Sequence, residues 1–558
     1  MGTLSSLLVT GHQALQAQQT ALHVTGNNIA NVNTPGYTRE RPELRPVPTS
    51  LNLPFRGGVN VEEISRAYDR FVTAQVNDAS SAHQSASTQA DVLEQIEALF
   101  NDLGSTAGGL SGELATLFND FQAVAQQPQE STARQILVAQ GETVASAFRQ
   151  LAEGLDTLRQ DRNTALSDAI SEVNQLSDQI AALNVDILKR EIDPKNPANT
   201  LRDQQDVLIK QLAEHVNIST FAGARGQVTV LLGGRPLVEG QQAAHLTTHA
   251  DPDDAQRILI DLTDSSGNTT EVTSTIRDGS IHGLLEVRDG ILPRLSSRLD
   301  RLAAQLTTSL NTQHSTGYGL DGTTGQHFFT PRQVSSQALA ANTGGGAVQS
   351  ATVFDPTQLT LDDYRLSFTA NGPPPSFDVI NDTTGETIAA GQSYTAGAAL
   401  RFDGLAVTLD DNGTPPQNGD TFLIRTTRDA AKRLALDSAL QDDPRRVAAA
   451  KTPSPGENTN ALALADLRDA TVLDDDTFGV YYQSLVGSVG SETQRTAQLA
   501  EQRQTVLSGL ENRRESLSGV SLDEEQVNLI RFQQAYNAAA QFIRIASELG
   551  QTVLELVR

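Results

Sequence analysis

"SLDEEQVNLIRFQQAYNAAAQFIRIASELGQTVLELVR", residues 521–558, repeats apolar or small side chains at alternating spacings of three and four. This period predicts a helix of about 55 Å with one apolar stripe, at 1.5 Å of rise per residue. Ser521 is a suitable N-cap, and the acidic residues after it favour a helix start because the helix dipole attracts negative charge there. The members of the predicted stripe are Leu522, Glu525, Leu529, Phe532, Tyr536, Ala539, Ile543, Ala546, Gly550, Val553 and Val557.

The other end of the chain carries a second, weaker stripe of the same kind. It predicts a helix over residues 3–30 and consists of Leu4, Leu8, Gly11, Leu15, Gln18, Leu22, Thr25 and Ile29. Neither stripe has enough apolar neighbours in its own part of the sequence to be buried, so each is expected to need a partner. No Lys, Arg, Asp or Glu precedes Arg39. Because a surface helix normally carries charge on its outer face, this favours burial among like subunits.

The stretch "NNIANVNTPGYTRER", residues 27–41, follows the N-terminal helix. Pro35 and Gly36 suit the two central positions of a type II turn, since proline presets φ and glycine tolerates positive φ. Asn33 suits the approach to that turn. Turn chemistry accounts for Thr34 to Tyr37 but not for the missing charges.

Length and composition exclude several classes of protein. At 558 residues the chain exceeds what one core usually serves, so several domains are expected. The net charge of -26 argues against nucleic acid or an anionic membrane as partner, because both select basic surfaces. Cysteine is absent, which rules out disulfides. We find neither a positively charged secretory signal nor an apolar run that predicts a membrane span.

The succession of helix-like and strand-like segments along the chain predicts an elongated α+β multidomain protein. Coiled-coil-like terminal helices, residues 1–62 with 520–558, are expected to form an assembly domain. Residues 63–215 with 284–316 and 430–519 are rich in Ala, Gln, Leu and Glu and predict a long helical bundle. Two antiparallel β-rich domains, 216–283 and 317–429, are predicted by short alternating runs with Gly, Asn and Asp turns. This order places the two termini side by side.

The sequence shows no convincing catalytic, cofactor or metal site. Gly317, Gly319 and Gly322 match a dinucleotide-binding string, but a helix rather than a strand precedes them. His12 and His23 would lie about 16 Å apart along one helix, too far to share a metal. No cofactor and no catalysis are therefore expected.

Two terminal segments resemble a known family. "ALQAQQTALHVTGNNIANVNTPGYTRERPEL" is similar to the N-terminal motif of bacterial flagellar rod, hook and hook-associated proteins, and "GVSLDEEQVNLIRFQQAYNAAAQFIRIASELGQTVLELV" is similar to their C-terminal motif. The internal segments "LNTQHSTGYGLDGTTGQHFF" and "NPANTLRDQQDVLIKQLAE" resemble hook-associated members, so the resemblance covers nearly the whole chain.

The resemblance implies a structural protein, without catalysis, that forms a ring of like subunits between hook and filament. Its partners would be hook protein on one side and, on the other, a second hook-associated protein and through it flagellin. Export would use the flagellar type III apparatus, with an uncleaved N-terminal signal and a cytoplasmic chaperone on the C-terminal helix. No nucleic acid and no membrane insertion are implied.

The expected assembly interface combines both terminal motifs. It comprises Leu4, Leu8, Leu15, Leu22, Asn28, Ile29, Asn31, Pro35, Gly36, Tyr37, Leu522, Leu529, Phe532, Tyr536, Ile543 and Val553. Two alternatives remain. A hook or distal-rod protein shares the terminal motifs, but the long bundle and the segment 310–329 argue against it. An exported adhesin or enzyme would need convergent carboxylates or an aromatic groove in the β-rich domains, and aromatic residues in 338–428 are few.

Overall fold

The structure, a computed structural model, describes residues 2–47, 57–102, 109–191, 197–223, 226–355, 358–370, 372, 374–411 and 413–556. The α-helices are α1 Gly2–Ala30, α2 Arg70–Asp102, α3 Gly109–Gln126, α4 Ser131–Arg190, α5 Asn199–His215, α6 Gly279–Glu286, α7 Leu292–Ser315, α8 Ala430–Arg433, α9 Ser438–Asp442, α10 Thr459–Asp466, α11 Phe478–Ser518 and α12 Leu522–Leu556. A π-helical turn, Val287–Ile291, joins α6 to α7.

The strands belong to a hairpin near the N-terminus and to two β-rich regions. They are β1 Glu40–Pro46, β2 Val59–Arg66, β3 Ile218–Ala222, β4 Val228–Leu232, β5 Arg235–Glu239, β6 Gln242–Ala243, β7 His245–Asp251, β8 Asp254–Thr263, β9 Thr269–Glu271, β10 Ser335–Ala338, β11 Ala347–Val353, β12 Tyr364–Ala370, β13 Ser376–Asn381, β14 Thr387–Ser393, β15 Ala399–Phe402, β16 Leu405–Asp410 and β17 Thr421–Arg425. All described strand pairs are antiparallel, and the predicted α+β class is confirmed.

The terminal helices α1 and α12 pack against each other within one chain. Each stripe was expected to need a partner, and each terminal helix supplies the partner of the other within the chain, where the missing charges had favoured burial among like subunits. The close approach depends on small residues, since a Cβ at Gly11 would lie 2.6 Å from Cγ1 of Ile543.

The β1–β2 hairpin packs beside α1 and was missed in the sequence. Its strands of seven and eight residues are largely polar, with Glu, Arg and Pro in β1, so they lack the sustained apolar alternation of a half-buried strand. The helix expected to run from residue 63 begins instead at Arg70, because 63–66 complete β2.

The helical body surrounds the largest core of the molecule. This core includes the first half of α4 and parts of α2, α3, α7, α10 and α11, and it is filled by aromatic and leucine side chains such as Phe121, Phe148 and Leu299. The 60-residue α4 extends about 90 Å, so its second half reaches a different core. Pro128 lies in the short break between α3 and α4.

The middle β-rich region packs on the second half of α4. Its sheets have the orders β3-β4-β5-β6 and β7-β8-β9, and their core is shared with α5 and α6. The outer β-rich region pairs a sheet of order β10-β17-β12-β13-β14 with one of order β11-β16-β15 around a separate core that contains Tyr364 and Phe422.

The segment that follows α7 belongs to the helical body rather than to the outer β-rich region expected from residue 317. Phe328 and Phe329 are fully buried in the body core. Asn311 on α7 accepts the N–H groups of both phenylalanines at 2.9 Å. The segment looked like part of a β-domain because its glycines and threonines resemble turn sequence, whereas two adjacent aromatic residues decide where it packs.

Candidate assembly site

The turn after α1 is ordered by its own polar side chains. The amide of Asn31 donates to the carbonyl of Asn27 at 3.0 Å, and its oxygen accepts from the hydroxyl of Thr34 at 3.1 Å. The N–H of Tyr37 bonds to the carbonyl of Thr34 at 3.2 Å, and Gly36 has φ +80°, as a type II turn requires. A Cβ at Gly36 would collide with Val207 of α5, so this glycine lets the turn rest on that helix.

Asn28 connects the turn, the hairpin and α12 at one buried point. Its Nδ2 donates to the carbonyl of Glu40 at 2.9 Å and to Oε2 of Glu525 at 3.1 Å. Its Oδ1 accepts from the hydroxyl of Tyr37 at 2.9 Å and from the N–H of Glu40 at 3.0 Å. Both donors and both lone pairs of the amide are used, so the set requires a side-chain amide at this distance from the backbone. Burial raises the pKa of Tyr37, and the carboxylates of Glu40, Asp203 and Glu525 add to the rise.

Arg39 forms a buried ion pair with the first turn of α12. Its guanidinium lies 2.6 Å from Glu525 and 2.5 Å from Glu524, and the side chains of Arg39 and Glu525 are only 9% and 2% exposed. Burial opposes the charge of Arg39, but the bonds to Glu524 and Glu525 outweigh it and raise its pKa. We call Asn28, Arg39 and Glu525 the terminal clasp.

Two irregularities of the sequence mark this clasp. Glu525 is the acidic member of an otherwise apolar or small stripe, and Arg39 is the first charged residue of the chain. A lone charge on a buried face needs an opposite charge, because burying it unpaired costs several kcal/mol. Arg39 and Glu525 supply this for each other across the whole length of the sequence.

A second polar joint attaches the clasp to the helical part of the chain through Asp203 of α5. Asp203 accepts from the N–H and hydroxyl of Thr38, at 3.1 and 2.6 Å, and from Arg66 at 2.6 Å. Arg66 also bonds to Asp206 at 2.9 Å, and burial raises the pKa of Asp206. Nothing in the local sequence of Asp203, Asp206 or Arg66 points to residue 38, so this joint could not be predicted.

The predicted α12 stripe turns toward α1 rather than outward. Phe532 is buried and Leu529, Tyr536 and Ile543 are half-buried, whereas Leu522 is exposed. The side chain of Val553 lies outside the described residues.

A different set of large apolar side chains on α12 is exposed. At about 100° per residue, four of these side chains point away from, or to one side of, the face that carries the buried Phe532, Ala539 and Ala546. We call these four the outward stripe: Val527, Ile530, Ile545 and Leu549. Phe542 is 41% exposed but lies beside Gly11 of α1 and does not belong to the stripe.

On α1 the buried face consists of smaller residues than predicted. Ala17, Ala21, Val24 and Asn28 are buried at spacings of three and four. The predicted Leu8, Leu15, Leu22 and Ile29 are half-buried beside that face, as is Asn31, whereas Pro35 is exposed. The side chain of Leu4 lies outside the described residues. Small residues face the partner helix because they allow the two helices to approach closely. A pattern of large apolar residues does not identify such a face.

The remaining candidates from the sequence have structural explanations. The glycine string forms a turn in which the N–H of Tyr318 bonds to the carbonyl of Ala450 at 2.7 Å. His12 and His23 are both exposed. Among the described residues, no group of three or more His, Cys, Asp or Glu side chains has metal-binding geometry. No helix in the described part of the chain is long and apolar enough to span a membrane.

Three family models match the chain. The "Flagellar hook-associated protein FlgK helical domain" matches residues 93–329, the "Flagella basal body rod protein" model matches 8–38, and the "Flagellar basal body rod FlgEFG protein C-terminal" model matches 514–556. The two terminal matches include two of the three members of the terminal clasp, Asn28 and Glu525, and Arg39 immediately follows the first match.

Curated relatives match along the whole chain. Flagellar hook-associated protein 1 of Salmonella typhimurium is 28% identical over 571 residues, covering 99% of this chain and 100% of the relative. The proteins of that name from Escherichia coli and Bacillus subtilis are 28% and 25% identical, covering 99% and 98% of this chain and 100% and 97% of the relatives. The solved flagellar hook junction protein FlgK from Burkholderia pseudomallei shares the fold, with a TM-score of 0.68 at 21% identity, over 79% of this chain and 100% of that structure.

Proposed function

This chain belongs to the flagellar hook-associated protein 1 family, and we propose that it is a structural subunit of the junction between hook and filament. The observation that carries this role is the outward stripe on α12. The stripe is apolar, lies on a helix already packed against α1, and is not covered by the chain itself. Clustered exposed apolar side chains mark protein contacts, and Val527 with Ile530 and Ile545 with Leu549 form two such clusters along α12.

A position between hook and filament implies three kinds of partner. Copies of the chain form a ring through the terminal coiled coil, with hook protein on one side. On the other side lie a second hook-associated protein and, through it, flagellin. The assembly interface is the outward stripe together with Leu522 and the exposed turn at Pro35. The clasp and the inward residues Leu529, Phe532, Tyr536 and Ile543 support it by holding α12 in place.

Export through the flagellar type III apparatus is part of the same proposal. The uncharged N-terminal segment acts as an uncleaved signal, and a cytoplasmic chaperone covers the C-terminal helix before export. The outward stripe supports the chaperone contact, because an exposed apolar helix face associates prematurely unless it is covered. The chain then resides in the flagellum and performs no catalysis.

The test replaces the outward residues Val527, Ile530, Ile545 and Leu549 by Ser in a strain that lacks the chromosomal copy. We expect complete hooks, no filaments and free flagellin in the medium, because the subunit is made but does not stay at the hook tip. Ile136→Ser is the matched control, since Ile136 is 54% exposed on α4, in the helical body. Electron microscopy and a blot of the medium provide the readouts.

Each alternative gives a different result in this test. Normal filaments on the outward-stripe variant would contradict the junction role and would suit an exported adhesin or enzyme. Absence of normal hooks would indicate a hook or distal-rod subunit. A blot for the variant protein in the medium separates loss of export from loss of assembly.

A further inference from the structure

The outer β-rich region, strands β10 to β17, has little contact with the rest of the chain. Its two sheets enclose a core of their own, and the chain crosses to the helical body once before β10 and once after β17. Among the described elements, no strand of this region packs along a helix of the body or a strand of the middle region. Leu361 is partly buried against the body core. A region attached through so small an apolar contact is expected to move relative to its neighbours.

The crossing after β17 is anchored at both of its ends. The N–H of Thr426 donates to Oδ1 of Asp363 at 3.0 Å, which ties this residue to the outer region. The N–H of Asp429 donates to Oδ2 of Asp300 on α7 at 3.0 Å, which ties this residue to the body. The free part of the crossing is therefore as short as residues 427–428.

The crossing before β10 lies beside the first one. The N–H of Thr330 donates to the carbonyl of Ala435 in the body at 2.9 Å, and residues 331–334 lie between this bond and β10. Within them, Nη1 of Arg332 reaches the carbonyl of Thr426 at 3.4 Å. Two short neighbouring segments thus connect the regions, and a few such residues can absorb the backbone changes of a hinge.

The space around these crossings is polar. A cavity of about 410 Å³ lies where the body, the middle β-rich region and the outer β-rich region meet, and most of its lining residues are Arg and Asp. Ion pairs cross it, including Arg257 with Asp289 at 3.4 Å and Arg425 with Asp363 at 3.5 Å. A rotation at this joint exposes little apolar surface, so it costs little hydrophobic free energy.

One residue of the middle β-rich region closes the joint. Asp253, in the turn between β7 and β8, accepts the N–H of Ala340 with Oδ1 at 2.7 Å, and its carbonyl accepts from Nε2 of Gln337 at 2.5 Å. The turn that carries Asp253 is fastened to α4, because Asp254 pairs with Arg159 at 2.5 Å. Asp253 therefore stays with the body, whereas Gln337 and Ala340 move with the outer region.

We propose that the outer β-rich region is an arm that turns on the helical body about residues 331–334 and 427–428, with Asp253 as the latch that holds it in the orientation of this structure. The hydrogen bond from Ala340 to Asp253 is exposed, so water competes for both groups and the latched orientation is only moderately favoured. A second orientation then coexists with it in solution. The arm can thus change direction while the terminal coiled coil stays in place.

The cysteine-free chain allows a direct test with two spin labels. Ile136→Cys on α4 and Ala390→Cys on β14 place the labels at exposed positions, and double electron–electron resonance measures the distance between them in the purified monomer. We expect one main distance and a less populated second one. Asp253→Ala should raise the ratio of the second to the first about 3- to 10-fold, as the loss of one hydrogen bond implies.

Two further variants control for effects unrelated to the latch. Asp264→Ala removes a carboxylate of the same middle region that accepts the N–H groups of Ser266 and Asn268 in its own turn. It should leave the ratio of the two distances unchanged. Asp253→Asn keeps a side-chain oxygen as acceptor and should raise the ratio less than Asp253→Ala does.

The outcomes do not depend on the junction role, because the monomer is measured by itself. One narrow distance in both the wild type and Asp253→Ala would show a rigid attachment and overturn the arm. A second distance whose population is the same in the wild type, Asp253→Ala and Asp264→Ala would overturn the latch. If thermal unfolding shows that Asp253→Ala does not fold, Asp253→Asn decides, and an unchanged ratio in that variant contradicts the proposal.

Discussion

The helical body and the terminal coiled coil both pack long helices, but their contacts differ. The body encloses Phe121, Phe148 and Leu299 without exposure. The terminal pair meets through small residues such as Ala17 and Ala546 and leaves large apolar side chains facing outward. The body is therefore stabilised by its own core, whereas the terminal pair is aligned by a polar clasp and keeps apolar surface for partners.

The largest effect is expected in the body. Phe148→Ala should lower the free energy of unfolding by about 3–5 kcal/mol, because it removes buried contacts and leaves a cavity. Denaturant unfolding followed by circular dichroism measures this. The matched variant Phe532→Ala should leave the body transition unchanged and instead speed proteolysis of α1 and α12. If both variants shift one common transition, the two regions unfold as a single unit and the comparison fails.

Breaking the clasp should have a large but local effect. Arg39→Met leaves the carboxylate of Glu525 buried without its partner, which costs about 3–5 kcal/mol for a buried pair. Hydrogen exchange should rise along α1 and α12 but not in the body. Glu524→Gln is the control, because Glu524 is 63% exposed and such pairs contribute about 0–1 kcal/mol. Equal exchange in wild type and Arg39→Met would show that the clasp does not hold the helices.

Acid should loosen the body through His314. This imidazole is fully buried, bonds to the carbonyl of Gln326 at 2.8 Å and accepts the N–H of Ala448 at 2.9 Å. Burial lowers its pKa to about 4, from an ordinary value near 6.5. The neutral imidazole therefore contributes about 3 kcal/mol to the free energy of unfolding. This contribution is complete above pH 6.5 and is lost as the pH falls toward 4. Urea unfolding between these pH values should show a steeper pH dependence for wild type than for His314→Gln, and equal slopes would contradict the assignment.

The smallest effect on stability is expected for the outward stripe. Replacing Ile545 and Leu549 by Ser should change the stability of the isolated monomer by less than about 0.5 kcal/mol for each residue, as at other exposed positions. Thermal unfolding of the purified variant tests this. A large loss would mean that these side chains are buried within the monomer, and the contrast between the two regions would disappear.

The sequence by itself determined the elements with strong local signals. The period of three and four fixed α12, and the Thr34-Pro35-Gly36-Tyr37 order predicted the turn that the structure contains. The absence of charge before Arg39 indicated a terminal segment that is buried among like subunits, since burying unpaired charge is costly. The β1–β2 hairpin was not predicted, because its largely polar strands lack an alternation of apolar and polar residues.

Only the tertiary structure decided which faces meet. The predicted stripe of α12 faces α1, so the free surface is the opposite one, and no local pattern distinguishes two apolar faces of one helix. The same holds for Arg39 and Glu525, and for Thr38 and Asp203, which are distant in sequence and adjacent in space. Periodicity reports the backbone geometry of one segment, whereas partner choice depends on shape and charge brought together by the whole chain.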